Sequence, residues 1–128
     1  MKRLVTAFLF VVASSVGVLA QSLPVPSYWL NQRGSEMKLY SINPQGMFNG
    51  VYINHASGFG CQGTPFAVNG QAMGNRVTFT VIWNNGIQNC NSKTVWRGTV
   101  VGRRINTQWI LYTPQGQQTG TDIFLQQP

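Results

Sequence analysis

Acidic residues are almost missing. Glu36 and Asp122 are the only two in 128 residues, and one histidine, His55, accompanies them. Acid–base or nucleophilic catalysis needs a nucleophile set beside a base, and neither that constellation nor a phosphate-binding loop is visible, so an enzyme is not expected. Cysteine is equally scarce: with two thiols, Cys61 and Cys90, and one imidazole, a zinc centre lacks ligands and no metal is expected. Charged residues of either sign make up 9% of the chain, too few for long salt-bridged helices. After the first twenty residues no apolar run is long enough to cross a bilayer, which argues against a membrane partner. The seven cations beyond that point are scattered, with only Arg103 and Arg104 adjacent, so a nucleic-acid footprint is not expected either.

What is present begins with a leader-like stretch. Met1-Lys2-Arg3 precedes an apolar run from Leu4 to Val12 and small residues ending at Ala20, the layout of a cleavable signal peptide over residues 1–20. A retained anchor is the minor reading. Residues 21–128 then form one domain, secreted or periplasmic, and the net charge falls from +7 to +5 with the loss of Lys2 and Arg3. In an exported chain the default fate of Cys61 and Cys90 is an intramolecular disulfide. Such a bridge contributes about 3 to 4 kcal/mol in the chain-entropy model.

Gly, Asn, Gln and Thr are plentiful, and turn signals such as Asn43-Pro44-Gln45-Gly46, Asn69-Gly70, Gly74-Asn75 and Pro114-Gln115-Gly116 recur at short intervals. They separate eight strand-like segments, over 27–31, 36–42, 48–54, 65–72, 76–83, 93–101, 104–113 and 121–126. Short connections throughout imply antiparallel neighbours, hence an all-β barrel or sandwich.

Period-two alternation sorts the side chains. Val77, Phe79, Val81 and Trp83 share a face; so do Ser92, Thr94 and Trp96, and Thr107, Trp109 and Leu111. Tyr52 and Asn54 fall with Phe48, Trp29 with Asn31, and Asp122 with Phe124. A sealed core would avoid this mixture, because an unpartnered buried polar group costs about 1–3 kcal/mol. A cavity for a polar ligand accounts for it. The plainer alternative, residue by residue, is a Trp-filled core whose Asn, Thr and Ser groups satisfy turns and indole N–H groups.

Several segments together resemble the avidin and streptavidin family: Trp29-Leu30-Asn31-Gln32-Arg33-Gly34-Ser35, Gly50-Val51-Tyr52, Val81-Ile82-Trp83-Asn84-Asn85, Ser92-Lys93-Thr94-Val95-Trp96-Arg97-Gly98, the run from Arg104 to Leu111, and Asp122-Ile123-Phe124. The motifs occur in the family's order over nearly the whole chain after the leader. The resemblance implies an eight-stranded antiparallel up-and-down β-barrel and non-catalytic, high-affinity binding of biotin at one end, biotin being a ligand and not a cofactor. By resemblance, Asn31, Ser35 and Tyr52 would donate to the urea oxygen of biotin, and Asp122 and Asn54 would accept from its N–H groups. Thr94 would face the ring sulfur, Trp83, Trp96, Trp109 and Leu111 would enclose the bicycle and tail, and Ser92 would lie near the carboxylate.

The connection from Ile110 to Thr121 is short and has no Trp, whereas tetrameric members lend a Trp from this region to a neighbouring subunit. Cys61 and Cys90 resemble the disulfide of the dimeric, rhizavidin-like branch, which implies a homodimer. Arg33 stands where an apolar residue is more usual, and it or the 58–63 loop is expected to adjust the contact with the tail carboxylate. The rival reading is a lipocalin-like carrier of another small apolar ligand, whose cavity would not need a buried carboxylate.

Overall fold

The computed structural model describes residues 22–84, 86 and 90–128. The proposed leader, residues 1–20, and Asn85 of the fifth-strand motif lie outside them. Eight strands follow one another: β1 (Ser27–Asn31), β2 (Glu36–Ile42), β3 (Met47–Ile53), β4 (Pro65–Met73), β5 (Arg76–Trp83), β6 (Ser92–Val101), β7 (Arg104–Thr113) and β8 (Gly116–Gln127). Each pairs antiparallel with the next, and β8 returns to β1, so the sheet closes into the expected up-and-down barrel. Closure removes both sheet edges, which would otherwise offer unpaired backbone groups to other chains.

Local sequence explains the tight corners. Between β4 and β5 the hairpin is only Gly74-Asn75, and Gly74 takes φ +62°, a conformation an L side chain resists. Between β2 and β3 the Asn43 side-chain oxygen accepts from the backbone N–H groups of Gln45 and Met47, folding the chain around Pro44.

Alternation puts one face of every strand inside. In β5 Val77, Phe79, Val81 and Trp83 are all buried, while Arg76 and Ile82 are exposed. The interior is aromatic: Phe79 stacks on Trp96 at 5.1 Å and 16°, and Phe124 meets both rings edge-on. The two ends differ. The end carrying the β2–β3, β4–β5 and β6–β7 hairpins is filled by Leu39, Phe48, Val77, Val100 and Ile105. At the other end the β1–β2, β3–β4, β5–β6 and β7–β8 connections meet, and there the inward positions turn polar.

Several boundaries differ from the sequence-based expectation: β3 runs one residue earlier at both ends, β4 ends and β6 begins one residue outside the expected spans, β8 ends one residue later, and two differences matter more. The last strand begins at Gly116, not residue 121, so the stretch from Ile110 to Thr121 is no loop but two paired strands joined by Pro114 and Gln115 alone. Gln117, Gln118 and Thr119 lie beyond the core with both faces exposed, so no alternation marks them as a strand. Asn54 falls just after β3 in an isolated bridge to Gln62, which begins the long β3–β4 connection.

Candidate functional site

A cavity opens at the polar end. Its wall holds all eleven residues singled out as ligand contacts: Asn31, Ser35, Tyr52, Asn54, Trp83, Ser92, Thr94, Trp96, Trp109, Leu111 and Asp122. Arg33, Ala56, Phe59, Gly60 and Cys90 line it as well. Six strands and three connections therefore converge on one concavity, the form a small-molecule site takes.

Asn31, Ser35, Tyr52 and Asn54 form one polar layer, each buried. The Asn31 oxygen accepts from the backbone N–H groups of Arg33 and Ser35, so the end of β1 shapes its own turn. Its amide nitrogen donates to the Tyr52 hydroxyl at 3.3 Å. Burial, with the charge of Asp122 as a smaller cause, pushes the Tyr52 hydroxyl far above its ordinary pKa. The phenol stays protonated and keeps a hydrogen to donate.

Ser35 donates to the Asn54 oxygen at 3.3 Å and accepts from the His55 N–H. That Asn54 oxygen also accepts from Ala56 N–H, and the amide nitrogen donates to Gly60 carbonyl. Asn54 thus ties the β3–β4 loop together with both ends of its amide. Its oxygen already holds two donors, a fuller engagement than its expected role as ligand acceptor supposed.

Asp122 is 3% exposed and surrounded by donors. Trp96 Nε1 donates to Oδ2 at 2.9 Å; Gln32 Nε2 and Arg33 Nε donate to Oδ1 at 3.0 and 3.1 Å. A carboxylate in this setting is stable only with such partners, and charge-assisted bonds are the stronger class. Gln32 is itself pinned, donating to Thr121 carbonyl and accepting from Ile123 N–H.

Aromatic walls enclose the layer. Trp83 donates its N–H to Thr94 Oγ1 at 2.8 Å, leaving the threonine hydrogen free. Tyr52 lies 4.9 Å from Trp96, and Phe59 meets Trp109 edge-on at 6.1 Å. Among the described residues the buried Trp109 indole N–H has no partner, a donor that a ligand atom could satisfy. Ser92 gives its hydrogen to Cys90 carbonyl at 2.7 Å, so toward a ligand tail it offers lone pairs only.

The two long loops are joined covalently. Cys61 and Cys90 form a disulfide with Cα atoms 5.9 Å apart, within the usual span of such bridges. Cys90 itself faces the cavity, as does Phe59. Phe59 escaped the sequence reading: it sits in a loop with no alternation, and only the Gly58–Gly63 turn signal around it could have drawn notice. Arg33 points at Asp122 and Trp109, with its guanidinium carbon 5.9 Å from the indole centroid, which places it against the carboxylate inside the site. His55 is exposed and pairs with Glu36 at 2.9 Å, outside the cavity wall.

Comparison with known proteins places these features in context. The model of the avidin family matches residues 20–127. Afifavidin of Afifella pfennigii is 49% identical over 74 residues, 58% of this chain; the match spans 46% of afifavidin's own length, less than half. Apo shwanavidin superposes with a TM-score of 0.76 at 39% identity, covering 84% of this chain and all of that one. A rhizavidin–biotin complex superposes at 0.74 and 38% identity, over 82% of this chain and 93% of the other.

Proposed function

Given that the chain belongs to the avidin family, we propose that the cavity binds biotin and releases it unchanged. The observation that carries this reading is Asp122: a buried carboxylate in an aromatic-walled cavity that also holds the Tyr52, Asn31 and Ser35 hydrogen-bonding cluster. A cyclic urea needs both features. Its N–H groups want an anionic acceptor, and its oxygen, enriched in charge by that acceptor, wants several donors held in place beforehand. The biotin complex of rhizavidin supports the assignment. Trp83, Trp96, Trp109 and Leu111 supply the apolar enclosure and Thr94 a hydroxyl for the thioether, while Ser92 can donate to the tail carboxylate only by giving up its bond to the Cys90 carbonyl.

A carrier of a wholly apolar molecule is disfavoured, because it would leave Asp122 and the Asn31–Tyr52 layer without purpose. The one acid in the wall is tied to three donors and the one histidine lies outside it, which supports binding without catalysis. We place the protein outside the cytoplasm after leader removal, a setting in which the Cys61–Cys90 bridge persists. A homodimer is the assembly we propose, on the likeness to rhizavidin and on the exposed Val101, Ile123 and Leu125 of the outer surface. Light scattering of the mature protein at twice the monomer mass supports it; a monomer or tetramer rejects it.

Thermal unfolding with and without excess biotin tests the function. Ligand at about a thousand times its dissociation constant adds about 4 kcal/mol of stability. The expected result is a large upward shift in Tm that Asp122→Ala loses. A folded protein that shows no shift rejects the assignment.

A further inference from the structure

Arg33 occupies the acceptor that the ligand requires. Its Nε donates to Asp122 Oδ1, and its guanidinium carbon lies 5.9 Å from the Trp109 ring centroid. Among the described residues that line the cavity it is the only cation. A guanidinium is planar and edged with N–H groups, as a urea is, and it too sits well on an aromatic face.

The carboxylate's donors differ in how firmly they are held. Oδ1 holds two, Gln32 and Arg33, and Oδ2 one, Trp96. Trp96 is buried, and Gln32 makes two further bonds with β8. The Arg33 side chain is 36% exposed and its described polar bond is the one to Asp122. Its backbone N–H is fixed by Asn31, while its side chain is held by the Asp122 bond and the contact with the Trp109 ring alone among the described contacts. Of the three donors, Arg33 is the one that can leave.

We propose that Arg33 is a built-in competitor of the ligand: in the free protein it fills the N–H position on Asp122 Oδ1, and binding exchanges its guanidinium for a urea N–H. The inference rests on the reading of the cavity as a biotin site. It makes Arg33 a selectivity residue, because only a ligand whose N–H matches a guanidinium at Oδ1 displaces it, and purely apolar molecules leave the ion pair in place. The Arg33 side of the pair is part-exposed, and when its guanidinium leaves, the buried Asp122 carboxylate keeps the Gln32 and Trp96 donors. Salt, which screens exposed charges, loosens the ion pair further.

Stopped-flow fluorescence with the methyl ester of desthiobiotin tests this, the probe being a neutral and weaker analogue that keeps the urea. For Arg33→Ala the association rate constant is expected to rise about two- to fivefold with little change in dissociation, from the usual worth of a partly exposed ion pair. The wild-type affinity rises with sodium chloride, whereas that of the variant stays flat. Arg33→Met retains the apolar stem over Trp109 and gives the same result if Arg33→Ala folds poorly, and the salt series on the wild type needs no variant at all. Slower association or faster dissociation in the variants, or a wild-type affinity that ignores or falls with salt, overturns the proposal and makes Arg33 a holder of the ligand. Cooperatively folded wild type and variant that both fail to bind reject the biotin reading itself and the competitor with it.

Discussion

Trp109 lies directly across the β7–β8 ladder from Gly120, and its six-membered ring fills the space where a β-carbon on that residue would stand. The glycine is what lets this indole lie against the wall. Gly120→Ala is expected to lower stability by about 1–3 kcal/mol by overpacking. Because Trp109 must move, biotin affinity falls as well, by at least about tenfold on the same scale of misfit. Calorimetric titration and urea unfolding of the variant check the two effects separately; unchanged affinity would mean the indole is not a ligand wall.

Tyr52 gives a second test. Its hydroxyl is held neutral by burial first and by the Asp122 charge second, so its pKa is raised in the folded state and ordinary in the unfolded one. The sign follows: the folded protein retains this proton, and stability drops as pH climbs above about 10, where the unfolded chain ionises. Tyr52→Phe should flatten that alkaline decline in melts between pH 8 and 11. In the proposed binding mode the same variant removes one donor from the urea oxygen, and biotin binding is expected to weaken by about 1–3 kcal/mol.

The mixed aromatic and polar faces of this site were legible from parity alone, while the roles of its residues toward a ligand came from the family resemblance. Trp83, Trp96 and Trp109 share inward faces with Thr94, Thr107 and Ser92 on adjoining strands, and a period of two suffices to see that. The polar bonding pattern was not legible. Nothing in the order of residues says that Asn54 spends its amide on Ala56 and Gly60, that Ser92 gives its hydrogen to Cys90, or that Arg33 turns inward to Asp122. Those choices depend on loop conformations, and Phe59 was hidden for the same reason. The first half of β8 was missed because Gln117 to Thr119 face no core on either side, so the backbone ladder with β7 alone makes them a strand.

Glu36 offers a pH effect of opposite sense to that of Tyr52. The hydrogen bond to His55 is the main cause holding its carboxyl below the ordinary range, with Tyr28 contributing a further bond. A depressed acid stabilises the fold above its unfolded pKa, and that stability is lost as pH falls below about 4.5. Glu36→Gln is therefore expected to lessen the loss of stability on acidification from pH 5 to 3 while leaving biotin binding at neutral pH unchanged. A parallel acid limb in both proteins would show that the pair contributes nothing measurable.

The Cys61–Cys90 bridge closes a loop spanning 29 positions, and its loss should lower stability by about 3 to 4 kcal/mol in the chain-entropy model. A purely global effect would stop there. Both cysteines, however, belong to the loops at the open end, and Asn54 reaches from the polar layer to Gly60 beside one of them. Reduction frees those loops in the unbound state, so biotin must order them again on binding, and that ordering subtracts from affinity. The Cys61→Ser, Cys90→Ser protein is thus expected to dissociate faster from biotin even at temperatures where it remains fully folded, while its association rate changes less. Equal dissociation rates for the bridged and unbridged proteins at 15 °C would confine the disulfide to a role in the fold and leave Asn54 to hold the loop by hydrogen bonds alone.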